Sequence, residues 1–178
     1  MAETGNLTLN RLTLTGGSAD SGGGVLNGVN TAINHSTISG NVAAFDGGGV
    51  LNRGNIAINS STLSDNIAGD RGGGAANYLE GTLTINKSTL SGNTARDFEG
   101  GGLFIAYSYA AGSSRVTNST ISGNAASSGG GIGLFSDAVT LVNSTVSGNS
   151  AYSGGGVSID GYYNVQPLND DEQHHLGQ

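Results

Sequence analysis

Short runs of alternating apolar and polar residues recur along the whole 178-residue chain. Runs such as LTLN, TAIN and TLTIN alternate Leu, Ile or Ala with Thr or Asn. A period of two residues is typical of a β-strand with one buried face. Gly and Asn separate the runs, and both tolerate the left-handed backbone of tight corners. The pattern predicts many strands of three to five residues and no helix of useful length.

The strands belong to a repeat. The segment STISGN at residues 36–41 returns in close copies at 61–66, 88–93, 119–124 and 144–149. A second marker, GGG, begins at Gly22, Gly47, Gly72, Gly100, Gly129 and Gly154. The intervals between triple glycines are 25, 25, 28, 29 and 25 residues, so six units can be aligned.

Each column of the alignment holds one chemical type. The first aliphatic column is Leu14, Ile38, Leu63, Leu90, Ile121 and Val146. The second is Leu9, Ile33, Ile58, Ile85, Val116 and Leu141, and the third is Val25, Val50, Ala75, Leu103, Ile132 and Val157. A small-residue column is Ala19, Ala43, Ala68, Ala95, Ala126 and Ala151. An amide column is Asn41, Asn66, Asn93, Asn124 and Asn149.

Such short strands bury little apolar surface individually, so the units must stack. Stacking at about 4.8 Å satisfies the backbone hydrogen bonds between units and places like residues on like. The sequence therefore predicts an all-β parallel β-helix, a solenoid of about six coils with roughly 25 residues and three short strands per coil, over residues 1–160. The aliphatic columns would fill its interior, with Ile121 buried in the fifth coil, and the Asn column would form an amide ladder at a corner.

The repeating unit NSTISGNxAxxxGGG(V/I) resembles repeats of right-handed parallel β-helix proteins of bacterial surfaces. It is also similar to polymorphic outer-membrane protein repeats, which pair a GGA(I/L/V) motif with an FxxN motif. GGGV and GGGI correspond to the first motif, whereas ISGN and LSGN carry Ile or Leu in place of Phe. The resemblance covers residues 7–160. It implies a right-handed solenoid in a secreted or cell-surface, adhesin-like protein, and it transfers no catalytic residue.

The composition and charge of the chain limit the classes of binding partner. A net charge of −7 with only six Lys and Arg argues against nucleic acid and anionic membranes. Charged residues amount to 11%, too few for a highly charged disordered chain. The chain has no Cys, hence no disulfide or thiolate metal site, and no apolar run approaches the length of a membrane span. These features fit an extracellular or cell-surface location.

One corner varies in length while the rest of the unit is constant. Between the Ala column and the triple Gly, coils 1, 5 and 6 have two residues, whereas coils 2, 3 and 4 carry AFD, GDR and RDFE. Variable loops on a rigid solenoid are where binding sites concentrate. The predicted ligand-binding ridge is Phe45, Asp46, Asp70, Arg71, Arg96, Asp97, Phe98 and Glu99. The alternative is a solvated corner with weak Asp–Arg pairs.

The ridge carboxylates suggest two kinds of chemistry. Asp46, Asp70 and Asp97 are expected on one side of the solenoid in successive coils. Carboxylates at this spacing would suit Ca²⁺, and no other cofactor is indicated. Asp46, Asp70, Asp97 and Glu99 are also the catalytic candidates if the protein is a carbohydrate-active or ester-cleaving hydrolase. A non-enzymatic protein is favoured, because no nucleophile–base set is evident.

Two further segments are candidates for binding. The insertion LFIAYSYAAGSS at 103–114 brings Phe104, Tyr107 and Tyr109, whose rings would stack on sugars or pack over their own coil. The outward Thr and Ser on either side of the first aliphatic column would form two ranks of hydroxyls. Those ranks resemble the flat Thr face of β-helical ice-binding proteins, although Thr and Ser also simply suit an exposed sheet.

The C-terminal segment 161–178 breaks the repeat and is predicted to be a partial cap or disordered. Its Asp170, Asp171, Glu172, His174 and His175 could bind a metal weakly, although a flexible end accounts for them as well. Open terminal coils present unpaired backbone groups, so end-to-end self-association is expected, most simply as a two-fold dimer.

The leading hypothesis is an extracellular, non-enzymatic β-helix module for adhesion, glycan binding or surface scaffolding. Its partner would be a glycan or another cell-surface ligand. The alternatives are the hydrolase that uses the ridge carboxylates and an ice-binding protein that uses the Thr and Ser face.

Overall fold

The computed structural model describes residues 5–78, 81–106, 114–135 and 138–161. These residues form strands and turns without a helix, and the chain coils about six times with parallel pairing between successive turns. The predicted parallel β-solenoid is therefore confirmed. Within the described ranges, no helix is long and apolar enough to cross a membrane. The tail predicted at 161–178 lies, apart from Gly161, outside the described residues.

Four parallel sheets run along the solenoid. The first contains Asn6–Asn10, Asn30–Asn34, Asn55–Asn59, Thr82–Asn86, Ser114–Thr117 and Val139–Val142. The second contains Thr13–Thr15, Thr37–Ser39, Thr62–Ser64, Thr89–Ser91, Thr120–Ser122 and Thr145–Ser147. The third contains Ser18–Ala19, Val42–Ala43, Ile67–Ala68 and Thr94–Ala95. The fourth contains Val25–Asn27, Val50–Asn52, Ala75–Tyr78, Leu103–Ala106, Ile132–Phe135 and Val157–Asp160.

The third sheet is an addition to the expected three strands per coil. Its strands have two residues each, so they carry no readable alternation in the sequence. It is continued by single bridges from Thr94 to Ala125 and from Ala125 to Ser150. The corner that varies in length follows this sheet and precedes the fourth.

The aliphatic columns stack in register and form the core. Ile33, Ile58, Ile85 and Val116 are paired in sequence across the first sheet, and all are buried. Ile121 is 0% exposed, which confirms the prediction for the fifth turn. Exposure of these columns rises at both ends of the described stack: Leu9 and Leu14 are half-buried in the first turn, and Leu141 and Val157 are 36% and 41% exposed in the last.

The predicted Asn ladder is present at the corner between the second and third sheets. The Nδ2 atoms of Asn41, Asn66, Asn93 and Asn124 each donate to Oδ1 of the Asn one turn on, over 2.9–3.0 Å. Every Asn of the ladder, from Asn41 to Asn149, also donates from Nδ2 to a carbonyl oxygen of the preceding turn, such as Asn66 to Ile38 O at 2.9 Å. Buried amides are thereby satisfied along the axis.

Two further ladders were not predicted. Asn27 donates to Asn52, and Asn52 to Asn77, each over 2.6 Å at the end of the fourth sheet. At the corner after the first sheet, the backbone N–H of Ser61 donates to Ser88 Oγ at 3.1 Å, and Ser88 repeats the contact with Ser119 at 3.0 Å. The Ser that directly precedes the first Thr of each second-sheet strand is therefore a corner residue that links neighbouring turns.

Candidate functional site

The variable corner forms a ridge along one edge of the solenoid. The Asp70 N–H donates to Phe45 O at 2.9 Å and the Phe98 N–H donates to Asp70 O at 3.2 Å, so the three longer corners are hydrogen-bonded to one another. Phe45, Phe98, Arg96 and Asp97 are exposed. The other four candidates, Asp46, Asp70, Arg71 and Glu99, are half-buried.

The ridge covers a second hydrophobic cluster, separate from the solenoid interior. Leu51, Ala76, Phe104 and Ala106 are buried on the outward side of the fourth sheet. They lie in turns 2 to 4, the turns with the longer corners. Leu26 occupies the equivalent position in turn 1, whose corner has two residues, and it is 60% exposed. The inserted residues therefore fold back over the sheet.

The first glycine of each triple makes this fold-back feasible. Gly72 and Gly100 have φ angles of 66° and 71°, which L side chains rarely adopt. A Cβ atom at Gly72 would lie 2.6 Å from the Cβ of Ala76, and one at Gly100 would lie 2.8 Å from the Cα of Phe104. The triple Gly is therefore the closely packed base of the ridge.

Arg71 lies at the centre of the ridge. Its Nε donates to Glu99 Oε2 at 2.7 Å, and the guanidinium carbon lies 4.6 Å from the ring centroid of Phe98 and 5.5 Å from that of Phe104. A guanidinium between two aromatic faces is stabilised electrostatically and has few alternative rotamers. Arg71 thus joins the exposed ring of Phe98 to the buried ring of Phe104.

Asp46 and Tyr78 lie close to this guanidinium. Neither Asp46 Oδ1 nor the Tyr78 hydroxyl has a hydrogen-bond partner of normal geometry, although both atoms are buried. Burial raises the pKa of the Asp46 carboxyl, and the neighbouring Tyr78 hydroxyl and Arg71 charge only partly oppose this. Burial and the charge of Asp46 raise the pKa of the Tyr78 phenol as well. Asp46 is therefore easier to protonate than an ordinary aspartate.

A cavity of about 230 Å³ opens beside Arg71. Tyr78, Ala106 and Phe135 occupy the same register position in three successive strands of the fourth sheet, so the small Ala106 separates two aromatic residues. The cavity is lined by these three residues together with Phe104 and Arg71. The rings of Tyr78 and Phe104 are 5.5 Å apart at a tilt of 56°. The geometry is that of a mainly aromatic recess with a cation in its wall.

The carboxylates of the ridge do not gather at one point. Glu99 is paired with Arg71, Oδ1 of Asp46 is buried, and Asp97 is exposed. In the part of the chain that the structure describes, no three His, Asp or Glu side chains are placed to hold a metal ion together.

Several predicted residues lie outside the described ranges. These are Tyr107 and Tyr109 of the insertion and the acidic and His residues of the tail, Asp170, Asp171, Glu172, His174 and His175. Phe104, at the start of the insertion, packs over its own coil beneath the ridge, with 1% of its surface exposed.

The outward ranks of Thr and Ser on the second sheet are in register over all six turns. Thr62 pairs with Thr37 and Thr89, and Ser64 pairs with Ser39 and Ser91. The two ranks are exposed or half-buried throughout. The structure therefore contains the regular hydroxyl face that the sequence indicated.

Sequence reasoning missed Tyr78, Ala106 and Phe135. The available signal lay in the segments AANY and LFIA, which carry apolar residues at both odd and even positions. A strand of that kind is buried on both faces. Together with the longer corners nearby, these segments indicated an outer cluster as well as the inner core.

Comparisons with protein-family models, with curated proteins and with solved structures found no match to this chain.

Proposed function

We propose that the protein is an extracellular, non-enzymatic β-helix module that binds neutral glycans in the manner of an adhesin. The observation that carries the proposal is the aromatic cavity beside the ridge, lined by Tyr78, Phe104, Phe135, Ala106 and Arg71. The resemblance to bacterial surface repeats and the absence of Cys from the sequence are consistent with this location.

The cavity has the size of one sugar ring. An engineered apolar cavity of about 150 Å³ holds benzene, so a recess of about 230 Å³ accommodates a somewhat larger ring. Because Ala106 lies between Tyr78 and Phe135, the two aromatic residues are two turns apart, about 9.6 Å along the axis. A ring inserted between them would lie within stacking distance of both.

The residues that line the cavity suit a neutral pyranose ring better than a charged ligand. A sugar has an apolar C–H face, which suits the aromatic rings, and a hydroxyl edge, which suits the guanidinium of Arg71. Glu99 is paired with that guanidinium, Asp46 lies close to it, and the whole chain carries a net charge of −7. An anionic ligand would therefore be repelled.

The proposal predicts weak binding of neutral monosaccharides, detectable by saturation-transfer NMR with glucose, galactose, mannose and N-acetylglucosamine. Ala106→Leu should abolish the signal, because the added carbons fill the recess between Tyr78 and Phe135. Ala57→Leu, a matched change on the outward side of the first sheet, should leave the signal unchanged. The proposal is wrong if no sugar of the panel binds, or if a folded Ala106→Leu variant binds as well as the wild type.

The hydrolase alternative has one supporting observation, the raised pKa of Asp46 close to the charge of Asp70. A carboxyl that is easily protonated beside a second carboxyl is a common acid–base arrangement. The test is turnover of neutral oligosaccharides by the wild type, with its loss in Asp46→Asn. Such turnover would replace the binding-module proposal with an enzymatic one.

Ice binding is a second candidate, favoured by the in-register hydroxyl ranks of the second sheet. If that face binds ice, the protein will show thermal hysteresis, and Thr89→Lys in the middle of the face will remove it. Thr84→Lys is the control, since Thr84 is an exposed Thr on a different sheet, the first. Equal hysteresis in both variants, or none in the wild type, would exclude this candidate.

A further inference from the structure

Three exposed aromatic residues lie on alternate turns of one corner. Phe45 is in turn 2, Phe98 in turn 4 and Tyr152 in turn 6, and they are 54%, 45% and 97% exposed. The intervening turns carry the polar residues Asp70 and Ser127 at this point. A single exposed ring is ordinary, but a row of exposed rings that recurs along one edge has the arrangement of an interaction surface.

Backbone hydrogen bonds connect these residues in a continuous series. The Asp70 N–H donates to Phe45 O at 2.9 Å, and the Phe98 N–H to Asp70 O at 3.2 Å. The Ser127 N–H donates to Phe98 O at 3.0 Å, and the Tyr152 N–H to Ser127 O at 3.1 Å. Because stacked strands are about 4.8 Å apart, successive rings are separated by about 9.6 Å along the axis.

We propose that this aromatic column, Phe45, Phe98 and Tyr152, binds an extended β-1,4-linked neutral glycan that lies parallel to the solenoid axis. In such a polymer, every second sugar presents the same face, at nearly the axial interval between the rings. Three rings would therefore contact the first, third and fifth sugars of one chain. The inference rests on the proposed glycan binding for its ligand class but uses a surface other than the cavity.

Two features of the ridge favour binding of such a ligand. The guanidinium of Arg71 lies 4.6 Å from the Phe98 ring centroid and fixes that ring, so little side-chain entropy is lost on binding. Asp70 and Ser127 lie between the rings in the hydrogen-bonded series, and both are half-buried residues whose carboxylate and hydroxyl groups are of the kind that bind sugar hydroxyls.

The alternatives to a neutral glycan fit less well. The carboxylates of Asp46, Asp70, Asp97 and Glu99 would repel phosphate groups and acidic polysaccharides, with only Arg71 and Arg96 opposing them on the ridge. A column one ring wide also lacks the continuous area of roughly 800 Å² per partner that a stable protein interface buries. A long, narrow, uncharged polymer matches both the charge and the shape.

The test compares two hexasaccharides of identical composition, cellohexaose with β-1,4 links and maltohexaose with α-1,4 links, by isothermal titration calorimetry. Cellohexaose should bind, cellobiose should bind at least tenfold more weakly, and maltohexaose should not bind. Loss of one of three stacked rings is expected to cost about a tenfold factor in affinity. Phe45→Ala and Tyr152→Ala should therefore each weaken cellohexaose binding about tenfold, whereas Leu7→Ala, an exposed residue away from the ridge, should not.

The outcomes separate this inference from the cavity proposal. Binding of cellohexaose that survives Ala106→Leu but falls in Phe45→Ala supports the column even if no monosaccharide binds in the cavity. Equal binding of the two hexasaccharides, no gain from cellobiose to cellohexaose, or equal effects of Phe45→Ala and Leu7→Ala would overturn it. A concentration-dependent dimer that disappears in Phe45→Ala, seen by sedimentation, would also overturn it by assigning the column to a second copy of the chain. Thermal melting confirms that each variant is folded.

Discussion

At the scale of single residues, some buried polar side chains stabilise the stack of turns, whereas others destabilise it. Asn93 is a clear example of the first kind. Its Nδ2 donates to Leu63 O and to Asn124 Oδ1, and its Oδ1 accepts from both nitrogens of Asn66, all within 3.0 Å. Asp46 is an example of the second kind, with a buried Oδ1 that has no partner.

Asn93→Ala should lower the free energy of unfolding by about 3 kcal/mol, because several buried polar groups lose their partner at once. Asn149→Ala should cost less, since Asn149 is half-buried at the last turn of the ladder. Urea denaturation of both variants measures the difference. Equal costs at the two positions would contradict the account of a cooperative ladder.

Asp46→Asn should stabilise the protein at neutral pH. Burial raises the pKa of Asp46 in the folded state, so ionisation favours the unfolded state as the pH rises through that pKa. Replacement by a neutral amide removes this cost, and the advantage should disappear as the pH falls below the ordinary value of 3.8. The test is the difference in melting temperature between Asp46→Asn and the wild type, measured from pH 3 to pH 7. The difference should favour the variant more at pH 7 than at pH 3, and the opposite trend would refute the prediction.

At the scale of elements, the glycines of the corner decide how closely turns approach. A Cβ atom at Gly73 would lie 2.5 Å from the carbonyl carbon and oxygen of Thr94 and 2.6 Å from Gly101 O. These contacts are with backbone, which cannot rotate away. The second glycine of the triple is therefore required by the packing of adjacent turns rather than by its φ angle.

Gly73→Ala should destabilise the fold by about 3 kcal/mol or prevent folding, because the added methyl forces adjacent turns apart. Gly28→Ala is the control, since a Cβ atom there has no neighbour within 4 Å and the backbone is not left-handed. It should change stability by less than about 0.5 kcal/mol. Similar chemical denaturation curves for both variants would show that the close contact is unimportant.

The features of these elements that recur in each repeat unit could be predicted from the sequence. The three aliphatic columns and the Asn ladder recur in nearly every unit, so the stacking of turns was sufficient to place them. Tyr78, Ala106 and Phe135 were not predicted, because they differ from turn to turn and only the register of the fourth sheet brings them together. The fold-back of the corner over Leu51 and Phe104 likewise depends on loop geometry rather than periodicity.

At the scale of the whole molecule, each inner turn of the solenoid pairs with a turn on either side, whereas the first and last described turns pair on one side only. Core positions become exposed in the last turn, where Ile159 is 72% exposed and Val157 is 41% exposed. Apolar residues on an unpaired parallel strand are a template for association with another chain.

We therefore expect concentration-dependent self-association through this turn. Ile159→Lys should reduce it, because a charged side chain at an exposed strand edge opposes pairing. Leu7→Lys makes the same change in the first turn and identifies which end is used. Light scattering at high protein concentration measures the effect, and a strict monomer in the wild type would refute the expectation.

The central claim is that a rigid solenoid presents a glycan-binding ridge at its variable corner. The most direct test is ¹H–¹⁵N NMR of the labelled protein titrated with cellohexaose. We predict chemical-shift changes at the amides of Phe45, Phe98 and Tyr152 and at Nε of Arg71, with the amides of the second sheet unmoved. Shifts centred on the Thr and Ser ranks of the second sheet, or none at saturating sugar, would contradict the claim.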